Sequence, residues 1–302
     1  MKKIFTIFFI FIIGCVFSWA QTYTINVAPN SPERGMVVIE EVVSYENGKL
    51  PGVFSVSDTK KVRFSQGNLQ YQASTDTWRF AEHQYDRVGM GCELILNVDS
   101  SYRVGGTVPD SDNREISSMY NGWIDLFGWG TGNNPTNSSI DYHDYSTFFA
   151  DWGVNKISNG GNVANAWFTL SREEWYYLIN TRANASSKRG EAVVNGISGL
   201  VLLPDNWTPP SGVYFYVFYN TYTTSQWALM EEAGAVFLPA AGYRSGTSVR
   251  RVGNSGHYWS CTNQGTYQAI NLFFDLEGGV YISPNFSERG VGHSVRLCSE
   301  VE

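Results

Sequence analysis

Four cysteines and four histidines are the side chains of this 302-residue chain most suited to chemistry, and their spacing limits what they can do. Cys261 and Cys298 could close a disulfide around a loop of about 36 residues, worth roughly 3–4 kcal/mol in the chain-entropy picture. Cys92 would then stay free. The alternative is that strand parity points the two side chains apart and leaves all of them as thiols. His83, His143, His257 and His293 show neither H-x-x-H nor HExxH spacing, so no zinc-hydrolase pattern is present. His143, Asp144 and Asp151 share the stretch "HDYSTFFADW", which reads as a solvated acidic-aromatic loop. No G-x-S-x-G elbow supports a serine nucleophile. Catalysis is therefore not expected, and no catalytic residue is assigned.

Recognition is the chemistry that the C-terminal stretch suits. "YWSCTNQGTYQAINLFFDLEGGVYISPNFSERGVGHSVRLC" (258–298) fills an apolar skeleton with Asn, Gln, Tyr, Thr and Ser. Ile270, Leu272 and Phe274 alternate, as do Val280 and Ile282, which predicts two strands with these side chains in the core and a turn near Glu277-Gly278-Gly279. Asn271, Phe273 and Tyr281 then face the other way, while Asn263, Gln264, Tyr267, Asn285, Phe286 and Arg289 fall in flanking loops. Rigid rings beside adaptable amides are the mixture that paratopes favour. These nine residues are the candidate ligand-binding set. An ordinary strand exterior would show the same alternation.

The elements that must position this stretch can be read upstream. "TLSREEWYYLINTRA" opens with an S-x-x-E capping box at Ser171 and Glu174, and Trp175, Leu178 and Ile179 share one face, which predicts a helix over about 171–182. "TTSQWALMEEAGAVFLPAAGYR" predicts a second helix over about 225–233, capped by Thr224 or Ser225 and ended by Gly234, with Trp227, Met230 and Ala233 on one face. "ISGLVLLPDNW" and "AVFLPAAGYR" read as buried strands. Residues 53–81 read as three or four short strands. Residues 84–120 read as a surface insertion, and "NGWIDLFGWGTGNNP" as an irregular buried loop. The class is α+β with a mainly antiparallel sheet.

The amino-terminal residues predict the compartment. Lys2 and Lys3 precede an apolar run to Phe17, and Ser18-Trp19-Ala20 supplies a small-residue cleavage site, so residues 1–20 read as a secretory leader. A lipoprotein signal through Cys15 is the alternative. Removing Lys2 and Lys3 takes the formal charge from -7 to -9, which excludes the basic surface that nucleic acid requires. The mature chain is expected to be exported, without a membrane span and with a possible outer-surface association. Aromatic residues make up 15% of the chain and charged ones only 16%, a composition of folded rather than disordered sequence. Residues 21–51 read as a short β segment or stalk ahead of a domain over 52–302.

Five stretches carry a resemblance: "TLSREEWYYLINTR", "GLVLLPDNWTPPSG", "QWALMEEAGAVFLPAAGYR", "YWSCTN" and "GHSVRL". In this order they resemble exported proteins of the Fibrobacter succinogenes major paralogous domain type. That group is similar to the C-type-lectin-like fold, which formylglycine-generating enzymes also use. In those enzymes a Leu-Pro-x-Glu-x-Glu-Trp helix start and a terminal Gly-Phe-Arg occupy places like Leu170–Trp175 and His293–Arg296. The resemblance implies a C-type-lectin-like domain whose final strands and loops carry the ligand surface. The enzymes need two cysteines close together, whereas Cys261 and Cys298 are far apart in sequence. Calcium-binding lectins of the fold need carboxylates where Ser283-Pro284-Asn285 and Trp259-Ser260-Cys261 stand here, so neither calcium nor another cofactor is expected. The expected function is a surface-exposed module binding a protein or glycan. A structural component of the cell envelope is the alternative, and an enzyme related to the formylglycine-generating group is the third reading.

Overall fold

The structure, a computed structural model, describes residues 22–26, 38–42, 45–88, 93–96, 102–105, 119–246, 248–276 and 281–301. The expected leader with Cys15, Cys92, much of the expected insertion, Val280 and the turn at 277–279 lie outside the described residues, as do the side chains of Tyr281 and Ile282. Two compact units result, residues 1–44 and 45–302. In the first, β1 (Thr22–Asn26) pairs antiparallel with β2 (Val38–Val42), the strand pair that "TYTINV" and "GMVVIEEVV" predict. The second begins at Tyr45, ahead of the expected boundary at 52. Leu50 is already core: it is fully buried, and its N–H donates to the Phe64 carbonyl at 2.9 Å.

This second unit is α+β and largely antiparallel, as its patterning predicts. β3 (Phe54–Ser55) and β4 (Lys61–Phe64) form a small sheet with the C-terminal β18 (Cys298–Glu300). β5 (Leu69–Gln72) and β6 (Thr77–Phe80) make a hairpin, as do β7 (Glu93–Leu96) and β8 (Tyr102–Gly105). The insertion starts later than residue 84, because Gln84 is fully buried. Its amide accepts from Phe237 N at 2.7 Å and donates to the Ala235 carbonyl at 3.1 Å.

The first helix, α1 (Arg172–Tyr176), carries the reciprocal Ser171–Glu174 capping box that its sequence predicts, then widens into a π turn over Tyr177–Thr181. The wider turn is closed by Arg182 N donating to the Tyr177 carbonyl at 2.9 Å. Four strands follow in the order β11 (Asn220–Tyr222), β9 (Arg189–Val194), β10 (Ile197–Leu202), β12 (Val236–Pro239). Only β9 and β11 pair in parallel. The second helix, α2 (Thr224–Glu232), is capped by Thr223 rather than Thr224 or Ser225. Gln226 sits three residues on and completes a box with Thr223 that neither other residue could form. Gly234 ends the helix at φ 94°, a left-handed conformation that glycine reaches without a Cβ penalty.

The remaining strands are β13 (Tyr243–Ser245), β14 (Ser248–Arg250), and the C-terminal sheet of β15 (Ser255–Gln264), β16 (Gln268–Asp275) and β17 (Tyr281–Glu288). Both large sheets are buried on two faces. Val201 and Phe237 meet α2 through Trp227 and Met230, while Leu200, Leu202, Val236 and Leu238 turn the other way. They join Trp175, Leu178, Tyr258, Leu272 and Phe274, so this middle layer of apolar side chains lies between the two sheets. The far face of the C-terminal sheet, including Trp259 and Ala269, packs on Phe127, Trp129, Trp152 and Val295. The glycine-rich Trp loop is thus irregular and buried, as predicted, although Trp123 is half-buried beneath Arg79 at 3.8 Å.

Candidate recognition surface

Two-sided burial divides the nine candidate residues. Leu272 and Phe274 face the middle layer as their alternation predicts, and Ile270 is buried as well. The opposite side of β16 is not a free exterior, because the Trp loop covers much of it. Asn271 is buried, and its amide donates to Ser287 Oγ at 3.1 Å. Phe273 is half-buried against the His257 ring, with centroids 4.9 Å apart. Polarity at Asn271 thus marks a cross-strand hydrogen bond from its amide nitrogen, not contact with solvent.

Arg289 departs further from expectation, being fully buried. Its guanidinium donates to the Thr266 carbonyl at 2.8 Å, the Gly265 carbonyl at 2.7 Å and Asn263 Oδ1 at 2.6 Å, and it lies over Trp129 at 5.1 Å. Desolvation lowers its pKa, while three neutral oxygens accept from its terminal nitrogens and a ring face lies beneath the cation. Asn271 and Arg289 are therefore scaffold, and no part of an exposed ring around a ligand.

The exposed members lie at the end of β15, where a loop was expected (Asn263, Gln264), in the β15–β16 loop (Tyr267) and on β17 (Asn285, Phe286), with Tyr267 47% and Phe286 56% exposed. Register places Asn285 opposite Asn271 and Phe286 opposite Ile270, which makes them strand residues of β17 where a loop was expected. Tyr281 stands opposite Asp275. A residue that the sequence reading left out joins Tyr267: the Tyr142 ring lies 5.6 Å away. Tyr142 belongs to a 3-10 turn capped by Asp141, whose carboxylate accepts from His143 N and contacts the His143 ring at 2.7 Å. These contacts hold the Asp141 carboxyl below its ordinary range. Tyr145, buried beneath this turn, donates to the Ser139 carbonyl at 2.8 Å. "HDYSTFFADW" reads as a solvated acidic-aromatic loop, and nothing in its spacing tells that Tyr142, just ahead of it, meets Tyr267.

The thiols have little nucleophilic character. Cys261 and Cys298 are both free, so the bridge weighed between them is absent from the structure. Burial pushes the Cys261 thiol up to about 11 and raises Cys298 as well. Neither stands as thiolate at neutral pH. Among the described residues, no group of three or more His, Cys, Asp and Glu could hold a metal ion, and no helix is long and apolar enough to cross a membrane. No protein-family description, curated protein or solved structure matches this chain.

Proposed function

We propose that this chain is an exported, non-catalytic module of C-type-lectin-like fold, which recognises a protein or glycan through the β15–β16 loop, the neighbouring face of β17 and the Tyr142 turn. The observation that supports this reading most is the Tyr267–Tyr142 ring pair on a loop fixed from beneath by a buried arginine. Rings held by backbone anchoring lose little freedom on binding, and clustered aromatics usually dominate an interface. Amides at Asn263, Gln264 and Asn285 supply adaptable hydrogen bonds around them. Raised thiol pKa values at Cys261 and Cys298 disfavour the enzymatic reading.

The test is a screen of the purified chain against glycan arrays and cell-envelope fractions, repeated with Tyr267→Ser/Phe286→Ser. Binding that the double variant loses while melting like the parent supports a recognition surface. Assembly with an envelope subunit that survives the double change favours the structural component instead.

A further inference from the structure

A second aromatic surface lies at the other end of the chain's fold. The segment "VYFYVFYNTY" (213–222) leads into β11, the edge strand of the four-stranded sheet. Tyr214 is 72% exposed, Tyr216 64% and Tyr219 91%, with Val217 and Phe218 also outside. Apolar side chains gathered this densely on a surface mark an interaction site more often than chance scatter.

The backbone beneath them is fixed. Asn220 accepts from Tyr216 N at 2.8 Å, and its amide donates to the Tyr216 carbonyl and to Glu191 O. Tyr222 OH donates to the Tyr214 carbonyl at 2.8 Å. The loop also presses on β9 at Gly190, where a Cβ would stand 2.7 Å from Val217 O and 2.8 Å from Tyr216 O. Only glycine permits that approach. Tyr219 itself takes φ 61°, a left-handed conformation unfavourable for a bulky residue, and its N–H is held by Glu191 Oε1 at 3.1 Å. Strain is thus accepted in order to project a ring into solvent.

Beside that ring runs an open groove of about 360 Å³. Glu191, Ser198, Tyr219, Thr221 and Asn254 line it, with Leu276 at one edge. We infer that this groove binds a neutral polysaccharide segment, with Tyr219 stacking on a sugar ring and Glu191, Thr221 and Asn254 meeting its hydroxyls. Among the described residues none lining the groove is a cation, and the whole chain is acidic, so phosphate-rich or uronate ligands are disfavoured. The groove is open, and its lining mixes polar groups with apolar surface, where a protein anchor would want a deep, dry apolar pocket. Glu191 spends one oxygen on Tyr219 N, and a carboxylate has further acceptor capacity. The volume sits at the low end of the roughly 300–1,000 Å³ of ligand sites, room for a short stretch of chain. This groove is separate from the proposed Tyr267 surface: Ser255 and Gln264 end β15 about 30 Å apart at the rise of an extended strand.

Affinity electrophoresis of the full chain through gels holding a soluble β-glucan, a xylan or a mannan tests this, with polygalacturonate as the anionic control. Retardation by at least one neutral polymer and none by polygalacturonate is expected. Tyr219→Gly should weaken that retardation by roughly tenfold or more, as loss of a central ring does. It should melt no lower than the parent, since glycine adopts this φ freely. Thr221→Ala supplies a second variant in the groove that leaves the strained position intact and should also weaken retardation, and Tyr267→Ser should retain the parental retardation. The inference is overturned if none of the neutral polymers retards the parent, or if Tyr219→Gly and Thr221→Ala are retarded like the parent. It is equally overturned if these variants change only the sedimentation of the chain, which would make the surface a protein interface.

Discussion

Arg289 Nη2 lies 2.6 Å from Asn263 Oδ1, joining a fully buried cation to a residue at the exposed edge of the β15–β16 loop. The same guanidinium holds two consecutive carbonyls of that loop. Arg289 is therefore a positioning residue, and Arg289→Ala would leave those carbonyls without their donor. Leaving buried acceptors without their donor costs about 1–3 kcal/mol each. A clear fall in melting temperature is expected. Arg289→Lys should recover only part of it, because a single ammonium cannot reproduce the planar fork. Thermal melts of both variants decide this, and Arg289→Ala melting like the parent would count against the clamp.

Trp175 and Trp227 anchor the two capped helices in different layers. Trp175 packs on Phe64, with ring centroids 5.9 Å apart, and Trp227 packs on Phe237 at 5.5 Å. Truncating either to Ala should cost about 3–5 kcal/mol and lower the melting temperature sharply. Since the two rings occupy separate clusters, the double variant should lose close to the sum of the single effects. Denaturant titration of the single and double variants measures this.

These helices were the most legible part of the fold, because capping boxes and 3.6-residue periodicity are local signals. Two-sided burial is not local. Alternation correctly gave one face of β16 at Leu272 and Phe274, but only the distant Trp loop, packed on Trp259 and Ala269, covers the far face of the sheet too. Four buried arginines escaped for the same reason. Arg182 donates to the Leu203 carbonyl, Arg244 to Leu126 O, Arg289 to Thr266 O and Arg296 to Ser65 O. Each of them bonds backbone oxygens, which leave no trace in side-chain pattern, although Arg182 also pairs with Asp205 at 3.1 Å and Arg289 with Asn263. Tyr219 was equally hidden, since a left-handed backbone at a tyrosine contradicts its local preference.

The two thiols should differ in access but agree in being reduced. Cys298 is fully buried, and Cys261 is half-buried with its thiol raised to about 11. At pH 8 an ordinary thiol near 8.5 is partly ionised, so Cys261 should alkylate at least about a hundredfold more slowly than a free cysteine. Cys298 should react only after unfolding. Mass mapping of iodoacetamide adducts, with and without denaturant, checks both. A Cys261–Cys298 bridge in the non-reduced map would contradict the structure.

Acid should weaken the fold through a stacked histidine pair, His293 buried and His257 half-buried. His257 and His293 stack with ring centroids 4.7 Å apart, and His293 also lies 4.2 Å from Trp259. Burial, chiefly, lowers His257 to about 4, helped by the nearby Arg251 charge, and burial together with the His257 charge depresses His293 too. Folded, both stay neutral where the unfolded chain would protonate near 6.5. Below that value the unfolded state binds more protons, so stability falls as pH drops from about 6.5 toward 4 and is unaffected by this pair above it. His257→Gln should flatten that slope, by about 1–3 kcal/mol between pH 6.5 and 4. The parent–variant difference is the useful quantity, because Glu231, raised by burial, titrates with the opposite sign.

Exposed and buried members of the candidate set should separate cleanly on substitution. Tyr267 and Phe286 stand half in solvent, so Tyr267→Ser and Phe286→Ser should shift stability by less than about 0.5 kcal/mol. Asn271 and Phe273 come from the same short strand but meet Ser287 and His257. Asn271→Ala leaves the Ser287 hydroxyl without its partner, at a cost of about 1–3 kcal/mol. Phe273→Ala removes a half-buried ring and should cost a comparable amount, below the roughly 3–5 kcal/mol of a fully buried one. Melts of the four variants, read beside their binding in the same screen, divide surface from scaffold. Tyr267→Ser should lose ligand at unchanged stability, while Asn271→Ala should lose stability first. If Tyr267→Ser unfolds the chain, its ring is core, and the recognition surface proposed around it cannot stand.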